Sequence, residues 1–154
     1  MSGDKAFPAQ TQKDQPGLQH EMNPPPVIGE NYKAAGKLKG KKLLITGGDS
    51  GIGRSVVVMA AMEGVDGITI LHKEKEEKDA QETANLAGKH GAKVILKAGD
   101  IADANFCKSV VDAHVKQFKT IDILINNAAE QHRSEFLGDI DLAQVERTFR
   151  TNSK

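Results

Sequence analysis

The sequence predicts an α/β fold, a doubly wound parallel sheet of about four strands with an extended N-terminal arm ahead of it. Three observations carry this. Four short β-branched runs, "KLLIT", "GITIL", "KVILK" and "IDILIN", recur with helix-length segments between them. The runs are apolar on both faces, as strands are when crossover helices cover a parallel sheet on either side. The first run also breaks straight into "TGGDSGIGRS", which sets glycines 47, 48, 51 and 53 between a strand and a helix.

In order along the chain, residues 1–40 are rich in Gln, Lys, Pro and Gly, carry "NPPP" at Asn23–Pro26 and have almost no apolar periodicity. They read as an extended or disordered arm, and residues 41–154 as the folded domain. The first strand spans Lys42–Thr46. Ile52, Val56, Met59, Ala60 and Glu63 then recur at steps of three and four, which predicts a helix with Ile52 anchored in the core. The second strand spans Gly67–Leu71. The charged run "HKEKEEKDAQE", from His72, opens the second helix as a solvated face stabilised by local ion pairs, with Ala80, Ala84 and Ala87 as a weaker apolar stripe. A third strand, Lys93–Lys97, precedes a helix marked by Cys107, Val110, Val111, Val115 and Phe118. The fourth strand spans Ile121–Asn126, and a further helix begins near Asp141 in "DLAQVERTFRTN".

Composition narrows the function. At 154 residues the chain has room for one domain, and its 38% hydrophobic content plus 15 glycines is ordinary for a globular core. Lys+Arg 21 balance Asp+Glu 21, so no global field favours nucleic acid or an anionic membrane. Aromatic content of 4% is too sparse for a base-stacking surface. The single cysteine, Cys107, excludes an internal disulfide and a Cys-based zinc site, and reads as a small core residue; no metal site is expected. No stretch approaches the roughly 20 apolar residues of a membrane span. The polar start has no apolar signal-peptide stretch, and Asp4 and Asp14 without an arginine argue against a mitochondrial presequence, so the expected location is cytoplasmic.

A strand that ends in glycine and turns directly into a helix presents unpaired N–H groups reinforced by the helix dipole, which makes a seat for an anion. Two phosphate-binding designs compete for these residues. From Gly48, "GDSGIGRS" nearly fits the P-loop of nucleotide triphosphatases, with Arg54 where the lysine belongs, and a guanidinium is a poor substitute for a compact ammonium. From Thr46, Gly47, Gly51 and Gly53 are the three glycines of a dinucleotide turn with a wider first gap. Two further loops, "GDI" at Gly99–Ile101 and "NNAA" at Asn126–Ala129, follow the third and fourth strands, so all three lie at the carboxyl edge of the sheet, where a nucleotide binds.

On these motifs the chain resembles the short-chain dehydrogenase/reductase family. It resembles most a branch of general-stress and uncharacterised oxidoreductases that share "PPP…AGKL-GK" before "ITGGDSGIGR" and "NNAAEQH" after the fourth strand. The likeness runs from about Pro24 to Asn152. It implies a Rossmann-type sheet, here truncated after about four strands, and an NAD(P)-dependent exchange of hydride between an alcohol and a carbonyl.

Position by position, the resemblance implies that Gly47, Ser50, Gly51, Ile52 and Gly53 hold the cofactor diphosphate and that Asp100, with Ile101, takes the adenine amino group. Asn127 and Ala128 would lie along the nicotinamide ribose, Asn126 would brace the central strand ends, and Ala129 stands where most members have glycine. Asn152 falls where the family keeps an asparagine whose backbone carbonyl holds a water of the proton relay. His72 and Lys73 end the second strand in place of an acid, which favours NADP(H) over NAD(H); Glu74 keeps NAD(H) in play.

The family's serine and Tyr-x-x-x-Lys lie beyond Asn152. Tyr32, the only tyrosine, has Gly36 four residues on and cannot replace them, and His132 and Arg133 are weak substitutes. The chain is therefore expected to keep the cofactor half and to be catalytically incomplete by itself, with the family tetramer absent and the fourth strand left as an uncovered edge. The alternatives are an inactive dinucleotide-binding fragment or interaction module and, less favoured, a P-loop-like triphosphatase.

Overall fold

Leu43, Leu44 and Ile45 are consecutive and all buried, so their strand must be covered on both faces. The computed structural model describes residues 12, 17–132 and 134–153. It shows how that cover arises. The strands β1 (Lys42–Thr46), β2 (Gly67–His72), β3 (Lys93–Ala98) and β4 (Ile123–Asn126) form one sheet in the order β3-β2-β1-β4. Every pairing is parallel, with Leu44 opposite Thr69 on one side and Leu124 on the other. Helices α1 (Gly51–Met62), α2 (Glu77–Gly88) and α3 (Ala104–Phe118) connect the strands, and α4 (Leu142–Asn152) follows β4.

Strand pleating sends alternate residues to opposite faces, and the two cores follow it. On one face Leu43, Ile45, Ile68 and Ile70 pack with Val57, Ala60 and Ala61 of α1 and Ala87 of α2. On the other, Leu44 and Leu71 pack with Val110 of α3. The second core also holds a polar pair. Nδ1 of His114 lies 2.8 Å from the Thr69 hydroxyl and Nε2 lies 3.0 Å from the carbonyl of Thr120. A carbonyl can only accept, so Nε2 carries the proton and Nδ1 accepts from Thr69. Burial pushes His114 below the ordinary histidine range and keeps the ring neutral.

Several sequence expectations are corrected. Ile52 is 78% exposed rather than anchored in the core, because α1 turns Val57, Val58, Ala60 and Ala61 inward and leaves its first turn at the rim. The charged run does not open the second helix at His72: that residue pairs with Ala98 as the last of β2, a 3-10 turn spans Glu74–Glu76, and α2 starts at Glu77. The Lys73 amide donates to the Glu76 carboxylate at 3.0 Å and sets this boundary. Nor is the run simply solvated, since Glu76 and Asp79 are buried. Val111 and Val115 of α3 are exposed, and Cys107 is half-buried, its thiol donating to the carbonyl of Ile101 at 3.3 Å.

The described part of the arm is mostly exposed along its length yet docks at defined points. A 3-10 turn, Gln19–Glu21, lies against α2, as described below. Further on, the Tyr32 hydroxyl and the amides of Ala35 and Lys37 all donate to the carboxylate of Glu63, at the C-terminal end of α1. Those bonds, Tyr32's foremost, hold Glu63 down to about 2. Among the described residues no helix is long and apolar enough to cross a membrane.

Candidate functional site

β1 delivers the chain to the carboxyl edge of the sheet, where β2 leads away on one side and β4 on the other, and the cleft opens there. Gly47 and Gly51 have φ of +63° and +53°, a region where a side chain is strained. Gly53 is demanded by distance: a β-carbon there would lie 1.9 Å from the carbonyl oxygen of Gly47. The turn is therefore folded tightly onto the first turn of α1.

Helix geometry leaves the first amides without intrahelical acceptors. Ser50 takes the N-cap position without a side-chain cap. The Arg54 amide bonds to the Ser50 carbonyl and that of Gly51 to the side chain of Gln19. Among the described residues, the amides of Ile52 and Gly53 make no hydrogen bond. Two adjacent unpaired donors at the positive end of a helix are what an anion seat requires.

The opposite rim is locked to this turn. The Thr46 hydroxyl accepts from the amides of Asn127 and Ala128, both at 3.0 Å. The Asn127 carboxamide donates to the carbonyls of Gly47 at 2.8 Å and Thr46 at 3.2 Å. Asn127 thus braces the glycine turn through its carboxamide N–H groups, whereas Asn126 is exposed.

Between these rims lies a cleft of about 290 Å³. Its lining brings together Gly47, Ser50, Ile52, Gly53, His72, Lys73, Asp100, Ile101, Asn127, Ala128 and Ala129, residues the sequence nominates from four separate loops. Gly51 and Asn152 are not among them. Asp100 accepts from the Ala102 amide at 2.9 Å and pairs with Arg147 at 3.3 Å, and these partners, the amide first, hold its carboxyl below the usual range. It stays an ionised acceptor.

Asn152 stands beside the cleft and exchanges two bonds with the main chain of Glu130, accepting at 2.8 Å and donating at 2.9 Å. It staples the end of α4 to the loop after β4, and its neighbour Thr151 reaches the lining. His132 is exposed and bonded to the Glu130 carboxylate, and Arg133 falls outside the described residues.

Three features were not legible beforehand. His72 reaches the cleft, but its ring is fully buried, with Nδ1 3.0 Å from the carbonyl of Lys73 and Nε2 3.4 Å from Glu77. Lys73 is left as the basic group at the mouth. Glu76, rather than the exposed Glu74, is the acid that the charged run places in the lining, and burial pushes its carboxyl up. A spacing of roughly 20 residues from the glycines points to this run but not to which of its acids turns inward. The P-loop alternative is overturned by Arg54. That side chain is 2% exposed and turned inward, with Nε on the Asp49 carbonyl at 2.9 Å, one terminal nitrogen on Asp79 at 3.0 Å and the other on Glu82 at 3.0 Å. It cannot attend a terminal phosphate.

The family model described as short chain dehydrogenase matches residues 41–154. The chain belongs to the short-chain dehydrogenase family. The chain is 52% identical over 149 residues to General stress protein 39 of Bacillus subtilis, a match covering 96% of this chain and 51% of that one. Its structure resembles a putative dehydrogenase from Burkholderia cenocepacia with bound NADP, at 26% identity and TM-score 0.71, over 78% of this chain and 45% of that one. It also resembles the NADH-dependent reductase A1-R′ complexed with NAD, at 29% identity and TM-score 0.66, over 77% and 48% of the two chains. The chain spans about half the length of the curated relatives it matches.

Proposed function

We propose that this chain binds a nicotinamide dinucleotide as the cofactor half of an oxidoreductase that exchanges a hydride between the nicotinamide and an alcohol or carbonyl group. The observation that carries the reading is the pair of unpaired amides at Ile52 and Gly53, facing a rim locked by Thr46 and Asn127. The residues fit the group. Gly47 and Gly53 keep the turn free of side chains where a diphosphate would approach, Asp100 offers an ionised acceptor for an adenine amino group, and Ala128 and Ala129 leave the far end open and apolar. The dinucleotide would supply the hydride; the residues here bind and orient it.

Proton supply to a substrate is a different matter. Tyr32 is tied to Glu63 beneath α1, and that carboxylate pushes its phenol up, away from the range useful to a general acid. We assign the chain alone no turnover. Its coenzyme is NADP(H), because Lys73 stands at the mouth where a 2′-phosphate would lie; Glu76 in the same lining is the observation that favours NAD(H) instead.

Titration with NADPH and NADH, followed by nicotinamide fluorescence, tests both levels. Binding of NADPH in preference to NADH is expected, with the preference reversed in Lys73→Glu. Binding of neither coenzyme by the folded chain overturns the reading; tighter NADH binding overturns only the NADP(H) assignment. Steady oxidation of NADPH with a panel of carbonyl compounds would contradict the absence of turnover.

A further inference from the structure

The Gly51 amide is satisfied from 32 residues upstream, by Oε1 of Gln19 in the arm, at 2.5 Å. Gln19 is only 6% exposed, and its backbone is fixed: its own amide and that of His20 donate to the two oxygens of Asp79, each at 3.0 Å. The same buried carboxylate receives Arg54, whose Nε holds the carbonyl of Asp49 inside the glycine turn. A second clasp closes the arm on itself, since the Gln12 carboxamide bonds to both the amide and the carbonyl of Leu18. Arm, turn and α2 are thus joined through one buried acid.

At Gly51, the first residue of α1, the carbonyl side is held by the Ser55 hydroxyl at 3.2 Å, whereas the amide side depends on Gln19. The φ of Gly51 is +53°, and nothing lies within 4 Å of the place a β-carbon would occupy, so no packing contact backs the chain on that side. The next two amides are the unpaired donors of Ile52 and Gly53. We propose that Gln19 is a positioning residue for the dinucleotide site: by accepting from Gly51 it fixes the first peptides of α1 so that the following two amides stay aimed into the cleft. This rests on the reading that the cleft takes a dinucleotide. Linkage makes the effect reciprocal, so a bound dinucleotide strengthens arm docking by the factor with which docking strengthens the dinucleotide.

The test uses the full chain with two variants. Gln19→Ala removes the carboxamide, and Gln19→Met keeps its bulk and removes only the acceptor. Both should bind the preferred coenzyme about three- to ten-fold more weakly, the scale of one lost hydrogen bond. Both should also lose hydrogen-exchange protection at the Gly51 amide, while affinity for adenosine, which lacks the diphosphate, stays unchanged. The inference is overturned if Gln19→Met binds coenzyme like the unaltered chain, if either variant binds it more tightly, or if adenosine and coenzyme weaken equally. Failure of the unaltered chain to bind either coenzyme overturns the function proposed above and this inference with it, whereas coenzyme binding indifferent to Gln19 overturns this inference alone.

Discussion

Gly53 admits no side chain, and this sets the sharpest expectation at the scale of single residues. A methyl group there meets the Gly47 carbonyl at 1.9 Å, so either the turn or the helix must move. Gly53→Ala should cost about 1–3 kcal/mol or more in a urea melt, as overpacked sites do, and should abolish coenzyme binding in a fluorescence titration. Thr46 gives a complementary case. Its hydroxyl serves two amides, so Thr46→Val strands both and should cost about 1–3 kcal/mol, whereas Thr46→Ser keeps the acceptor and should melt within about 0.5 kcal/mol of the unaltered chain. The glycines were legible in the sequence because only glycine meets their backbone and distance demands. The division of labour between Asn126 and Asn127 was not, because adjacent strand-end residues point opposite ways and their exact register decides which one turns inward. Glu76 escaped notice for a related reason: in a dense run of charges, burial is decided by the 3-10 turn that tucks one acid under the cleft.

Between elements, two buried polar contacts make stability depend on pH in separate windows. His114 joins α3 to β2 and is neutral in the fold, with its value lowered from 6.5. The unfolded chain therefore takes up the proton first, and stability that is complete above about 6.5 declines as pH falls below it; His114→Gln should flatten this slope in melts recorded across that range. Glu63, lowered from 4.5 to about 2, joins the arm to α1. Its contribution is complete above 4.5 and is lost as pH falls through about 2. Tyr32 is the only tyrosine and there is no tryptophan, so intrinsic fluorescence reports this contact directly. An acid titration should show the Tyr32 signal changing near pH 2, and in Glu63→Gln the change should be absent. The parallel sheet with helices on both faces was legible because two-faced apolar runs allow few alternatives. Helix starts were not, since a side chain bonding back to the backbone, as Glu76 does to Lys73, moves a boundary without altering periodicity.

As a whole molecule, the chain has a formal net charge of zero and a sequence pI near 7.0, which gives little long-range repulsion between copies. β4 lies at the sheet edge with Leu124 58% exposed, and Leu142 and Phe149 of α4 are exposed beyond it. Light scattering at neutral pH and low salt should show association that grows with concentration, and Leu124→Lys should reduce it by placing a charge on the open edge. The sheet order has one more effect. β1 sits between β2 and β4, and the carbonyl of Gly47 waits for a partner 80 residues later, at Asn127. At ribosomal rates of roughly 5–20 residues per second, about 4–16 s of synthesis separates the two. Throughout that interval the nascent strand has one open flank and the cleft lacks a wall, so the proposed coenzyme site cannot steady the newborn chain until Asn127 has been made.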